Sequence, residues 1–205
     1  MRRHTTFTLA LLCLAPAAVA ATYAAEPLAL QPQSKPWIEG SSTVRDFKCS
    51  VMTFETQVVA LVADVVRAVL AGTKAVESAE LTVPAASLDC RNGTMNEHML
   101  KALKAKENPT IGFRVDSYQL AKGAGGVDGT AVGALTLGGV TKAITVTAHA
   151  MPDDATGALR RTGAYQLKMT DFGLKPPSLM MGTMKVNENV KVGFDPLLKG
   201  EAPKT

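Results

Sequence analysis

Three consecutive residues near the C-terminus, Asp171, Phe172 and Gly173, spell the triplet with which protein kinases bind magnesium. In kinases this triplet works together with a glycine-rich loop over the ATP phosphates and a His-Arg-Asp catalytic loop followed by Asn. The sequence contains neither motif, and its 205 residues are too few for two kinase lobes. The triplet is therefore interpreted as a structural bend, with Phe172 and Leu174 turned towards the interior.

Hydrolytic chemistry would depend on His98 or His149, the two histidines beyond the N-terminal region. A serine hydrolase needs a nucleophile, a base and an orienting acid, and the sequence has no Gly-x-Ser-x-Gly elbow. His98 falls on a predicted helix and His149 on the polar face of a predicted strand, without the spacing of a metal-ligand pair. We expect ordinary surface roles for both, no catalytic residues and no metal, and interpret the protein as not an enzyme.

Cys49 and Cys90 are the two cysteines outside the N-terminal region. In an oxidising compartment an even pair is most simply one disulfide. Closing a loop of this length stabilises a fold by at most about 4 kcal/mol in the chain-entropy estimate. Two separate buried thiols are the alternative interpretation. A metal site is the least favoured interpretation, because only His98 and His149 are available to complete it.

The N-terminus has the layout of a secretory signal peptide. Two basic residues at positions 2 and 3 precede an apolar run that is too short to span a bilayer, and small residues follow. Cleavage after Ala25 is preferred over cleavage after Ala20. Cys13 raises a lipoprotein signal, but Leu12 stands where that signal needs a small residue. We expect a periplasmic or secreted protein without stable membrane insertion.

The charge distribution argues against a nucleic-acid partner. Removing residues 1–25 takes two basic residues and no acidic one, so the formal charge falls from +4 to +2. The densest basic stretch, Lys101, Lys104 and Lys106, has the spacing of a solvated helix face rather than of a phosphate-binding stripe. Nothing in the sequence supports a homo-oligomer, although an exposed sheet edge would allow one.

Alternation of apolar and polar residues dominates the chain from Trp37 onwards and predicts strands with one dry and one wet face. The clearest runs lie at 111–116, 127–137, 144–150, 165–170 and 190–194, with a further strand around Leu81 and Val83. Short Gly, Pro and Asn turns separate these runs, and interior glycines mark the bends that a sheet needs to close on itself. The pattern predicts an all-β, up-and-down antiparallel barrel of about eight strands.

Two segments depart from this pattern and predict one or two short helices. Thr94 and Glu97 have the spacing of a capping box before an apolar stripe that ends at Pro109. The segment 58–72 is ambiguous: β-branched residues favour a strand at its start, whereas its end before Gly72 favours a short helix.

The domain organisation follows from these observations. Residues 1–25 are the predicted signal peptide and residues 26–35, rich in Pro and Gln, a flexible lead-in. Residues 36–197 form one β-barrel domain, and residues 198–205 a disordered tail.

A late cluster of methionines indicates an apolar site. Met180 and Met181 follow Pro176 and Pro177 in a predicted loop, where a solvated chain is normally polar. Methionine is adaptable and lines sites for irregular apolar ligands, although for any single Met core filling is the simpler interpretation. An apolar loop at the end of a small barrel, which can hold one ligand, suggests a lipophilic mouth.

Four segments, in order, resemble the YceI-like family. They are ENPTIGF at 107–113, ALTLGGVTKAITVTA at 134–148, LKMTDFGL at 167–174, and the helix segment TMNEHMLKALKA at 94–105. The sequence departs from the family pattern in the segment 55–78, in the LKAKEN stretch at 103–108, and at Met169-Thr170, where the family often has Arg. Cys49 and Cys90 look like a feature of a subgroup. The resemblance covers Trp37 to about Pro196.

This resemblance implies an extended lipocalin-like barrel with a hydrophobic tunnel for a polyisoprenoid or similar lipid, and no cofactor other than that bound lipid. The expected function is an exported, non-enzymatic carrier of a long apolar lipid such as a polyisoprenoid or isoprenoid quinone. The alternative is a structural or interaction protein whose barrel is filled by its own side chains and whose methionines form a partner patch. The residues predicted to line the ligand site are Phe113, Leu135, Ile144, Val146, Leu167, Phe172, Leu179 and Met180.

Overall fold

The computed structural model describes residues 36–153, 158–179, 182–195 and 197–198. The predicted signal peptide and lead-in lie outside these residues, as do Met180, Met181 and residues 199–205 of the predicted tail. Within the described ranges, no helix is both long enough and apolar enough to cross a membrane.

Thirteen strands and two α-helices make up the described fold. The strands are β1 (Trp37–Ser41), β2 (Asp46–Val51), β3 (Glu55–Ala60), β4 (Val76–Pro84), β5 (Leu88–Asp89), β6 (Thr110–Gly123), β7 (Gly126–Leu137), β8 (Val140–Asp153), β9 (Ala158–Lys168), β10 (Ser178–Leu179), β11 (Met184–Lys185), β12 (Asn189–Phe194) and β13 (Leu197–Leu198). The helices are α1 (Val65–Leu70) and α2 (Gly93–Ala102), and single 3₁₀ turns occupy Ala85–Ser87 and Met169–Phe172.

The main sheet is antiparallel and curls around a central space. Its hydrogen-bonded order is β3-β4-β6-β7-β8-β9-β12-β1-β2-β5, with β13 alongside β9. Only residues 52–54 separate β2, which pairs with β1, from β3, which pairs with β4. The chain itself therefore crosses from one end of the ladder to the other. With β2 and β3 counted as one path, eight strands surround the interior, which confirms the all-β barrel prediction.

The longest strands form the predicted meander. β6, β7, β8 and β9 pair in chain order, and the β6–β7 and β7–β8 ladders extend to their turns. At the β7–β8 turn Gly138 and Gly139 have φ of 56° and 81°, the left-handed conformation that tight hairpin turns need at both central positions. A side chain at either position would be strained.

The two helices resolve the segments that departed from the strand pattern. In the ambiguous segment 58–72, the start belongs to a strand and the end forms a short helix, as the residue types favoured. β3 ends at Ala60 and α1 spans Val65–Leu70. The capping-box prediction was wrong. The N-cap of α2 is Asn92, whose side chain accepts the Met95 N–H, and the helix ends at Ala102 rather than at Pro109. Asn92 is extended, as an N-cap requires, whereas Thr94 already lies within the helix.

The Asp-Phe-Gly triplet is a structural turn, as predicted. The 3₁₀ turn Met169–Phe172 ends at Gly173, whose φ is 63°. This turn buries Phe172 and Leu174, with 2 % and 1 % of their surfaces exposed. Both pack with Leu137 in the main core cluster, which closes one end of the barrel.

Cys49 and Cys90 form a disulfide, as predicted. Cys49 lies on β2, whereas Cys90 lies just before α2. The bond therefore fixes the start of α2 to the barrel wall.

Candidate functional site

The barrel encloses a cavity of about 990 Å³, at the upper end of the usual range for ligand pockets. Strand alternation produces its apolar wall, because successive side chains point to opposite faces. On β8, Ile144, Val146, Ala148 and Ala150 line the cavity, while the intervening Thr145 and Thr147 are exposed.

The structure places the predicted lining residues in three groups. Phe113, Leu135, Ile144, Val146 and Leu167 line the cavity. Phe172 does not, because it lies on a 3₁₀ turn and is packed into the core cluster that closes the barrel end. The backbone of Leu179 pairs with Met184 in a small hairpin, and Met180 lies outside the described residues. That the first five bind a ligand stays a prediction.

One part of the wall is formed by α2. Met95 and Met99 on this helix face the cavity together with both cysteines. The helix start is fixed by a polar network in which Asp89 accepts hydrogen bonds from the Asn96 side chain (3.0 Å) and the Arg91 backbone N–H (2.9 Å). These bonds, that from Asn96 first, hold the pKa of Asp89 below its usual value.

The other end of the barrel is covered by α1. Val66, Val69 and Leu70 of this helix pack on Ala150 and Leu159. Arg161 lies two residues after Leu159 on β9 and also lines the cavity. Of the Arg, Lys, Asp and Glu side chains that line the cavity in the described ranges, Arg161 is partly buried and the others are exposed to solvent.

A gap in the ladder lies between β4 and β6. These strands pair only from Glu80 with Arg114 to Pro84 with Thr110, and β6 shifts register against β7 between Val115 and Ser117. Beyond the paired section, the Tyr118 hydroxyl connects the two sides. It accepts from the N–H groups of Ala75 and Val76 at 3.0 and 2.9 Å and donates to the Val76 carbonyl at 3.0 Å.

The cavity reaches the surface at this gap. Val76, Glu77 and Ser78 line it consecutively on β4, as do Asp116 and Ser117 on β6. Glu77, Asp116 and Ser117 are exposed to solvent, so the cavity lining is continuous with the surface here. The gap is therefore a lateral opening with a charged rim.

The two histidines occupy different environments. His149 Nδ1 lies 2.7 Å from Asp128 Oδ1 on the outer face of β7 and β8. His98 is half-buried on α2 and lines the cavity, and the ordinary role expected for it stays a prediction. The described residues contain no group of three or more His, Cys, Asp or Glu side chains placed to hold a metal.

Arg161 and Tyr118 were not recognised in the sequence as site residues. The alternation seen at Tyr165 and Leu167 carries the signal for Arg161, because two further double steps back along the strand place it on the same inward face. A prediction based on hydrophobicity nevertheless assigns a charged residue such as Arg161 to the outer face. Tyr118 has no such signal, since its role depends on β4, which is distant in sequence.

The sequence profile of the YceI-like domain matches residues 38–196. No curated protein matches the chain at a significant level.

Several solved structures share the fold at low sequence identity. The crystal structure of Burkholderia cenocepacia BcnA is 21 % identical, with a TM-score of 0.63 over 82 % of this chain and 97 % of BcnA. A Campylobacter jejuni YceI protein is 16 % identical, with a TM-score of 0.55 over 76 % and 86 % of the two chains. A polyisoprenoid binding domain from Saccharophagus degradans, implicated in plant cell wall breakdown, is 12 % identical, with a TM-score of 0.56 over 84 % and 97 %.

Proposed function

Because the chain belongs to the YceI-like family, we propose that it is an exported, non-enzymatic carrier that holds a long apolar lipid in the barrel cavity. The cargo is a polyisoprenoid or an isoprenoid quinone. The observation that carries this proposal is the cavity of about 990 Å³, bounded by inward apolar side chains of the curled sheet. The Saccharophagus degradans domain of the same fold is described as polyisoprenoid-binding, which supports the same class of ligand.

Binding would depend on the removal of apolar surface from water, at about 25 cal/mol per Å². Such binding is not directional, so it tolerates chains of different length and branching. The adaptable side chains of Met95 and Met99 on α2 add to this tolerance. A carrier of this kind needs no catalytic residues.

Lipid extraction tests the proposal directly. Protein purified from an exporting host would be analysed by native mass spectrometry and then extracted with organic solvent. We expect a bound mass in the isoprenoid range, and an unfolding temperature that rises with added polyprenyl lipid because the ligand binds only the folded state. Bare protein that also ignores added lipid would contradict the proposal.

A matched pair of variants locates the site. Val146 lines the cavity opposite Ala131, so Val146→Asp would place a carboxylate in an apolar space and weaken lipid binding at least about tenfold. Val132→Asp is the control, because Val132 is 40 % exposed on the neighbouring strand and does not line the cavity. Equal lipid retention by both variants would place the ligand elsewhere. Leu135→Asp is a less clean test because Leu135 belongs to the packed core.

The alternative of a self-filled barrel required an interior packed by the protein's own side chains. The cavity supports the carrier instead, and the Met180-Met181 patch on which the alternative depended lies outside the described residues. Unchanged melting with and without lipid would favour the alternative.

A further inference from the structure

Arg161 is a partly buried cation that lines the cavity. It lies on β9 directly opposite Ala150 of β8, which in turn lies opposite Val127 of β7. All three residues line the cavity, and Ala150 and Val127 are buried. The Nε atom of Arg161 is buried and has no hydrogen-bond partner, and burial lowers the pKa of this guanidinium from its ordinary value. Arginine nevertheless keeps its proton at neutral pH.

The charge of Arg161 is not balanced within the described part of the chain. Its neighbour Arg160 points outwards and forms a two-bond ion pair with Asp195, with Nε to Oδ1 at 2.9 Å and Nη2 to Oδ2 at 2.5 Å. No hydrogen bond or ion pair of the Arg161 side chain is found among the described residues. Partial removal of a charge from water without a partner is unfavourable, so this guanidinium is a site where an anion from outside would be stabilised.

The surroundings of Arg161 define the shape of its ligand. Leu159 and Ala150 beside it are covered by α1, so this end of the cavity is closed by packing. In the other direction the wall is apolar from Ala150 to Ile144 on β8, a length of about 20 Å at the usual rise per residue of a strand. A ligand that fills this space has one charged end and one long apolar end.

We propose that Arg161 binds the anionic head group, a phosphate or a carboxylate, of a single-chain amphiphile whose tail extends towards Leu135, Ile144 and Leu167. The proposal rests on the carrier function above and specifies its cargo. A guanidinium matches either head group, because its planar donors pair with two oxygens at once. A neutral prenyl alcohol would fill the same space but leave the Arg161 charge unbalanced.

Ligands that share one chain and differ in the head group test this proposal. Affinities of the full mature protein would be measured for geranylgeranyl monophosphate, geranylgeranoic acid and geranylgeraniol. We expect at least one of the two anions to bind about tenfold to a hundredfold more tightly than the alcohol, the effect of a charge-assisted hydrogen bond. The stronger anion identifies phosphate or carboxylate as the natural head group.

Variants of Arg161 separate a binding role from a structural one. Arg161→Gln should abolish the preference for the anion and leave alcohol binding unchanged, whereas Arg161→Lys should retain part of the preference. Arg160→Gln is the matched control: it removes an adjacent arginine on the outer face and should leave the preference intact. Because Arg161→Leu removes an unbalanced, partly buried charge, the ligand-free variant should melt at the same temperature as the wild type or higher.

Three results would overturn the proposal. If the alcohol, or a prenyl quinone of the same chain length, binds the wild type as tightly as both anions, the carrier function stands and the charged head group is wrong. If Arg161→Gln retains the preference, or Arg161→Leu melts well below the wild type, Arg161 has a structural role. If none of the ligands binds, the carrier function itself fails.

Discussion

Glycines on the inner face of the barrel are covered by phenylalanine rings from neighbouring strands. A Cβ atom added to Gly40, Gly133 or Gly163 would overlap the ring of Phe47, Phe113 or Phe194, respectively. All three rings line the cavity. Aromatic side chains that cover sheet glycines help to fix the strand register of a curved sheet, and here they cover the inner wall at these glycines. These pairs therefore help to set the width of the cavity.

The pair of Gly163 and Phe194 gives a test of that role. In Gly163→Ala the new methyl group would meet the Phe194 ring and the Thr147 carbonyl oxygen. Overpacking of this kind costs about 1–3 kcal/mol, and the displaced ring would enter the cavity. We expect lower stability in chemical denaturation and weaker lipid binding by the folded variant.

Gly193→Ala is the control for this substitution. Its methyl group would meet the Trp37 ring on the outer face, since the cavity is lined by Val192 and Phe194 on either side. We expect a loss of stability without a loss of lipid affinity. Equal effects of both variants on affinity would show that the inner rings do not limit the cavity.

At the residue scale, the sequence predicts lining residues well where the backbone is a regular strand. Phe113, Val146 and Leu167 could be assigned to the inner face because alternation maps directly onto the two faces of a sheet. Phe172 could not, because a 3₁₀ turn has no period of two. Arg161 was missed because a charged residue at an inward position breaks the alternation of apolar and polar residues on β9.

Among the elements, α2 depends most on covalent and polar restraints. Its residues are at best partly buried, so hydrophobic packing alone fixes it weakly. The Cys49–Cys90 disulfide joins its start to β2, and Asn96 connects its first turns to Asp89 and to the Cys90 N–H, the latter at 2.8 Å. The sequence predicted the disulfide and the helix, but placed the N-cap at Thr94 because Thr94 and Glu97 have the spacing of a capping box; Asn92 is an equally good N-cap residue.

Breaking the disulfide should destabilise the fold by at most about 4 kcal/mol, because the reduced unfolded chain gains the conformational freedom of a 41-residue separation. Urea denaturation of the wild type with and without a reductant would measure this loss. The Cys49→Ala/Cys90→Ala double variant should match the reduced wild type and ignore the reductant. Met99→Leu, which replaces the sulfur 3.8 Å from Cys90 Sγ, should keep the response to reductant. An unchanged wild-type midpoint on reduction would contradict this expectation.

For the whole molecule, some of the strand pairings that close the barrel can be predicted from local sequence and others cannot. The meander of β6 to β9 was predicted because hairpins pair neighbours in sequence. The order β9-β12-β1-β2 and the crossing of residues 52–54 between the two ends of the ladder depend on contacts between distant segments. The lateral opening between β4 and β6 arises from the same long-range arrangement, so no local pattern marks it.

The Tyr118 hydroxyl connects the two sides of this opening, which makes Tyr118→Phe a test of how ligands enter. The variant would lose all three hydrogen bonds to Ala75 and Val76 while keeping the ring that lines the cavity. Leaving these backbone groups unpaired costs about 1–3 kcal/mol. The cost should be local, so hydrogen exchange at residues 75–79 should accelerate before that of β7 and β8.

If lipids enter through the opening, both association and dissociation of the lipid should accelerate in Tyr118→Phe, with a smaller change in affinity. Tyr165→Phe is the control, because Tyr165 also lines the cavity but lies on β9, away from the opening. Stopped-flow exchange of a fluorescent prenyl lipid would measure both rates. Faster hydrogen exchange without faster lipid exchange would show that Tyr118 holds the two strands together but that the lipid enters by another route.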